Sequence, residues 1–200
     1  MTITQLEKDG KYKVMVFLDG VYRFFLYEKE VRRLQLETGD EITDQLLEEI
    51  EQLILLPRAK NKALALLQYK SRTMYELRQK LKEQGYPENI VSDVMEFLLR
   101  YGFLDDYAYV RSYIDLYGGR KSRLQLQMEL SRKGISKEIF QALWEEQESD
   151  FEEEALKGLI EKRIRQKGPV TRENFQKHYA YFARKGYPSS SIVRLLKEYQ

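Results

Sequence analysis

Over the first 27 residues, apolar and polar positions alternate with a period near two, and Asp9-Gly10 and Asp19-Gly20 divide the alternation into three runs rich in Ile, Val, Phe and Tyr. An Asp-Gly pair between such runs favours the positive φ angles of a tight hairpin turn. The pattern therefore predicts three antiparallel strands near Thr2–Glu7, Lys11–Leu18 and Val21–Tyr27. Simple alternation places Tyr12, Val14, Val16, Leu18, Val21, Phe25 and Tyr27 on one face, with Met15, Phe17, Tyr22, Phe24 and Leu26 on the other. A sheet this small cannot leave two apolar faces in water, so at least one is expected to pack on a helix of the same chain.

From Glu28 onward the apolar spacing changes to between three and four, the helical period. A short helix over Glu28–Leu36 is expected to end by Gly39, and Thr43 can cap a second helix whose buried stripe is Leu46, Leu47, Ile50, Leu53 and Ile54. Pro57 lacks an amide hydrogen and fits a first helical turn, so it predicts a new helix or a kink running through Ala63, Leu66 and Leu67 to Lys70.

Three following segments repeat one another. Leu77 and Leu81 precede Gly85-Tyr86 and the stripe Ile90, Val94, Leu98; Leu126 and Leu130 precede Gly134-Ile135, Ile139 and Leu143; His178 and Phe182 precede Gly186-Tyr187, Ile192 and Leu196. The glycines lie 49 and 52 residues apart, enough for three helices per unit. Thr73 with Glu76 and Ser122 with Gln125 have capping-box spacing. Gly85, Gly134 and Gly186 stand where a left-handed residue ends a helix, a backbone that disfavours a Cβ by about 1 kcal/mol or more. One such unit buries little surface alone, so neighbours should share interfaces and stack into an elongated curved rod with hinges near Asp105-Asp106 and Glu148 to Asp150. The expected class is mainly α, as tandem three-helix repeats behind a small antiparallel sheet. Residues 1–42 form the meander and short helix, 43–70 linking helices, 71–106 the first repeat together with helix 57–70, 107–149 the second and 150–200 the third.

Composition narrows the functional classes. The chain has no cysteine and a single histidine, His178, which excludes disulfides, thiolate metal sites and histidine-pair metal sites. No apolar run reaches the roughly 18 residues of a membrane span, and the start lacks the layout of a secretion signal, so a cytoplasmic protein is expected. The net charge of +2 conceals blocks: residues 1–56 and 135–160 are acidic, 57–134 and 161–200 basic. Arg58, Lys62, Arg72, Arg78 and Lys82, then Arg120, Lys121, Arg123, Arg132 and Lys133, then Lys162, Arg163 and Arg165 are the candidate contacts to phosphates or to a partner. Point charges of this kind neutralise phosphates without reading bases, so DNA binding, to single or double strands, is expected to be weak and nonspecific.

Other tempting features have plainer readings. Asp105-Asp106 precedes an apolar run and reads as a helix cap rather than an acid-base pair, Gly118-Gly119 reads as a turn because the Walker pattern is missing, and His178 occupies an apolar repeat position. Tyr101, Tyr107, Tyr109, Tyr113 and Tyr117 could stack on single-stranded bases, but their helical spacing favours core or unit-interface packing. No nucleophile and base can be paired, and no cofactor or metal is expected.

The string Glu76-Leu77-Arg78-Gln79-Lys80-Leu81 with Gly85-Tyr86, Gly102-Phe103-Leu104-Asp105-Asp106 with Ala108, Glu129-Leu130 with Lys133-Gly134-Ile135, and Phe182 with Gly186-Tyr187 and Ile192 resembles the RecX family of recombinase regulators over roughly residues 57–200. That resemblance implies a non-enzymatic protein that binds the RecA filament on DNA and restrains its recombinase, ATPase and coprotease activities, and a monomer is expected. Two departures stand out: Ser122 replaces a frequent glycine, and the amino-terminal sheet lies outside the shared part. The rival reading is a free-standing, sequence-nonspecific DNA-binding protein built of helix-turn-helix-like modules.

Overall fold

The computed structural model describes residues 1–147 and 150–200. The chain forms two compact units, residues 1–104 and 105–200, divided just before the acidic pair Asp105-Asp106. The hinge expected around Glu148 falls largely on residues 148 and 149, which lie outside the described residues.

The first unit opens with a three-stranded antiparallel sheet of β1 (Ile3–Asp9), β2 (Lys13–Leu18) and β3 (Val21–Tyr27), in the order β1-β2-β3. Asp19 and Gly20 both adopt positive φ, as the tight turn between β2 and β3 requires. The expected division of faces needs correction. Phe17 pairs with Tyr22 but Val16 pairs with Phe24, so Arg23 is an extra residue that bulges out of the ladder. Beyond the bulge every β3 side chain switches face. Phe24 and Leu26 therefore join Val14, Val16 and Leu18, while Phe25 and Tyr27 join Met15 and Phe17. Both faces find cover inside the unit. Val16, Leu18, Phe24 and Leu26 share a core with Leu36, Ile42, Leu47 and Ile50, and Phe25 meets Tyr86 edge to face at 5.2 Å.

Next come α1 (Glu28–Leu34) and α2 (Asp44–Ile50), the latter capped by Thr43, whose hydroxyl accepts the Leu46 amide at 3.2 Å. Pro57 does not break the chain direction. The backbone stays helical from α2 through a π-helical turn over Glu51–Leu55 into α3 (Leu56–Tyr69), with Pro57 in the opening turn of α3. The wider turn lies immediately ahead of the proline ring, where a regular helix would bring the ring against a carbonyl. The first three-helix bundle is α3, α4 (Met74–Glu83) and α5 (Glu88–Arg100). Thr73 and Glu76 form the reciprocal capping box at the start of α4.

The second unit holds two further bundles. One comprises α6 (Asp106–Tyr117), a 3₁₀ turn over Gly118–Arg120, α7 (Arg123–Arg132) and α8 (Lys137–Glu145); the other comprises α9 (Phe151–Lys167), α10 (Phe175–Arg184) and α11 (Ser189–Glu198). Asp105 is a cap, accepting the Ala108 amide at 3.0 Å. The repeated apolar positions form the cores: Leu77 and Leu81, Leu126 and Leu130, and Phe182 are all fully buried. His178 is packed likewise at 3% exposure, and burial together with the Arg163 charge lowers its pKa below the ordinary 6.5. Gly85, Gly134 and Gly186 have φ of 91°, 81° and 85°, and the same closing bonds follow each, such as the Tyr86 amide to the Leu81 carbonyl and the Ile135 amide to the Leu130 carbonyl.

Candidate nucleic-acid interface

The cations singled out by sequence divide sharply once their neighbours are known. In the first unit most are engaged within the fold. Arg58 is ion-paired with Glu30, donates to the Phe25 carbonyl, and lies over the Tyr27 ring at 4.5 Å with its side chain 15% exposed. It joins the start of α3 to the sheet. Arg78 and Lys82 both reach Glu88, at 2.5 and 2.6 Å, across the turn that joins α4 to α5. Arg72 keeps Nε buried without a hydrogen-bond partner. Lys62 is exposed on α3 with no ion pair among the described residues.

The second unit is different. Lys121 is held in place: it reaches Glu129 at 2.5 Å and lies 4.4 Å over the Tyr117 ring, while the Tyr113 hydroxyl donates to the same Glu129 carboxylate at 2.6 Å. Burial and Glu129 push the Tyr113 hydroxyl pKa upward, keeping it a neutral donor. Lys133 sits 5.7 Å over Tyr109, and Arg163 lies 3.9 Å over Tyr181 with its Nε buried. Arg120, Arg132, Lys162 and Arg165 are exposed, and neither they nor the half-buried Arg123 side chain forms an ion pair among the described residues. Sequence inspection passed over other exposed cations of the second unit that form no ion pair among the described residues, Arg172 and Arg184 among them beside Lys137, Lys167, Lys177 and Lys197. The spacing of 52 residues between Gly134 and Gly186 was sufficient to find the two arginines, since it carries Arg120 onto Arg172 and Arg132 onto Arg184.

The tyrosines behave as their helical spacing suggests. Tyr109, Tyr113 and Tyr117 run along α6 with ring centroids 6.1 and 4.6 Å apart and pack on the core of the second repeat. Tyr101 and Tyr107 are the exceptions, more than half exposed.

The second and third repeats are clasped by hydrogen bonds from both sides. The Ser122 hydroxyl accepts the Gln125 amide at 3.2 Å as the cap of α7 and donates to the Lys185 carbonyl at 2.6 Å. In return Glu152 of α9 accepts the Arg123 amide at 2.8 Å. The expected Ser122–Gln125 box is thus only half local, because a carboxylate from the next repeat caps the neighbouring amide. Burial raises the Glu152 pKa, with the Arg123 amide opposing. Gly118-Gly119 also acquires a purpose: a Cβ on Gly118 would lie 3.0 to 3.2 Å from the Phe151 side chain, so the turn is a seat for the first residue of α9.

The described residues contain no group of acidic or histidine side chains able to hold a metal ion, and no helix is long and apolar enough to cross a membrane. What the surface offers is exposed positive charge that forms no ion pair among the described residues.

Comparison with known proteins agrees with this architecture. The first three-helix domain of RecX matches residues 59–98, and the third matches residues 151–196. The regulatory protein RecX of Clostridium acetobutylicum is 30% identical, the alignment covering 98% of this chain and 95% of that protein. Its counterpart from Clostridium beijerinckii is 28% identical over 99% of this chain and 94% of its own length. A crystal structure of a regulatory protein RecX superposes with a TM-score of 0.67 at 25% identity, covering 98% of both chains. These alignments include the amino-terminal sheet, which corrects the expectation that it stands outside the shared part. With three-helix repeats matched at both ends of the helical region and a relative aligned from end to end, the chain belongs to the RecX family of regulatory proteins.

Proposed function

We infer that this protein is a cytoplasmic, non-enzymatic regulator that binds the RecA recombinase filament on DNA and restrains its recombinase, ATPase and coprotease activities. Family membership supports the regulatory role, and the observation that carries the contact is the set of exposed, unpaired cations on the second unit: Arg120, Arg132, Lys162 and Arg165, with Arg123 beside them. Lys62 adds a charge on the first unit. Individually weak contacts from several repeats gain effective concentration when they engage neighbouring sites of one filament. Arg58, Arg78, Lys82 and Lys121 serve the fold first, since each has an internal carboxylate partner. Co-sedimentation with RecA filaments on single-stranded DNA, beside DNA alone and RecA alone, tests this reading. Recovery with the filament well above either component supports it, and equal recovery with DNA alone favours a free-standing DNA-binding protein.

A further inference from the structure

The second and third repeats carry the same pair of arginines at equivalent places, and the first repeat does not. Counting back from the closing glycines, Arg120 and Arg132 of the second repeat correspond to Arg172 and Arg184 of the third. The first repeat has Ser71 and Glu83 there. All four arginines are exposed, with no ion pair among the described residues. The cations of α4 in the first repeat, by contrast, are tied to acids: Arg78 and Lys82 to Glu88, Lys80 to Glu83.

Helix-end electrostatics accounts for three of the four positions but not for their recurrence at equivalent places. Arg132 and Arg184 sit in the last turns of α7 and α10, where the macrodipole favours a cation. Arg172 stands two residues ahead of the Asn174 cap, where the same dipole disfavours a cation, whereas Arg120 closes the 3₁₀ turn that follows α6. Few acids lie nearby: α10 contains no Asp or Glu, Glu173 adjoins Arg172, and Glu129 of α7, which also feels the Arg132 charge, is bonded to Lys121 and Tyr113. Between the arginines lie Leu124 and Met128 in one helix and Gln176 and Ala180 in the other, at four-residue spacing and exposed, with no aromatic ring to stack on a base. The hydrogen bond from Ser122 to the Lys185 carbonyl brings the start of α7 against the end of α10.

We propose that the middle helices α7 and α10 form a duplicated nucleic-acid backbone site, in which Arg120, Arg132, Arg172 and Arg184 neutralise phosphates of one strand without reading or stacking its bases. This deepens the filament-regulator reading, and rests on it, by assigning the DNA contact to the second unit. Twelve residues separate the arginines of each pair.

The test uses the full-length protein without RecA, so that its failure is distinct from failure of the regulatory reading. Binding of a fluorescein-labelled oligothymidylate is followed by anisotropy across a salt series, with circular dichroism and Trp144 emission confirming folding. Each phosphate contact on a single strand contributes about 0.7 to the slope of log affinity against log salt. The variants R120Q/R132Q and R172Q/R184Q should each lower the slope by about 1.4, and the fourfold variant by close to 3. The control K80Q/R111Q, whose cations are already paired with Glu83 and Glu146, should leave it unchanged. An abasic oligonucleotide should bind like oligothymidylate. A folded fourfold variant with an unchanged slope, an equal loss in the control, or a marked loss on the abasic strand overturns the proposal. So does a fourfold variant that binds DNA alone as before but no longer acts on RecA, because the face would then meet an acidic protein surface.

Discussion

Two serines in the second unit start helices with the same backbone, φ −70° and ψ 155°, yet differ in what their hydroxyls do. Ser136 is exposed, accepts the Ile139 amide at 3.3 Å and is also hydrogen-bonded to the nearby Glu138 carboxylate. Ser122 is fully buried, accepts the Gln125 amide and also donates to the Lys185 carbonyl of the third repeat. Ser136→Ala removes a cap and a contact that both lie in solvent, and should cost about 1 kcal/mol. Ser122→Ala removes a cap and also takes the donor from the partly buried Lys185 carbonyl, adding about 1 to 3 kcal/mol, so about 3 kcal/mol in all. Urea unfolding followed by Trp144 emission reads this unit, because Trp144 is the single tryptophan and lies in α8. With a slope of about 1 to 2 kcal/mol per molar, the two midpoints should separate by about 1 to 2 M. Ser122→Thr should recover most of the loss, since Thr73 makes the same kind of cap in the first repeat. Equal shifts for the two alanine variants would refute the claim that the Ser122 hydroxyl clasps the repeats together.

Gly186→Ala should destabilise more than Gly102→Ala in thermal melts: both have positive φ, but a Cβ at 186 would meet the Leu124 side chain at 2.9 Å whereas position 102 is open. Arg58→Ala should lower the melting temperature of the first unit by a few degrees, through loss of the Glu30 pair and the aromatic contacts, while leaving the salt slope of DNA binding unchanged. The Glu153 carboxyl is held at about 2 by Arg194 first and Lys157 second, against an ordinary 4.5. A depressed carboxyl contributes stability that is present above 4.5 and lost as pH falls toward 2, so Arg194→Ala should flatten the acid dependence in that window and move the Glu153 titration, followed by NMR, upward.

The repeats were legible because a helix-ending glycine, a cap and a buried stripe are all local signals, and the glycines recur at Gly85, Gly134 and Gly186, 49 and 52 residues apart. The sheet was legible as strands but not as faces. The bulge at Arg23 is fixed by how β3 pairs with β2 while covering two surfaces at once, and alternation along one strand carries no trace of it. Pro57 announced a disturbance in a helix, but whether the backbone breaks or widens depends on what packs around Ile54 and Leu55. The candidate site was half legible. Sequence identifies cations but not their partners: Arg58 meets Glu30 and Arg78 meets Glu88 only after the chain has folded back on itself. Arg172 and Arg184 were accessible from the repeat spacing, and they passed unnoticed because charge was weighed in clusters rather than at equivalent repeat positions.

The central claim is regulation of the recombinase through contact with its filament, and it is tested most directly by the rate of ATP hydrolysis by RecA on single-stranded DNA as this protein is added. The account predicts a dose-dependent fall in that rate, weakened at raised salt and weakened again in the R120Q/R132Q/R172Q/R184Q variant. A rate that stays constant at protein concentrations matching the recombinase, under low salt and with the protein folded, would contradict it.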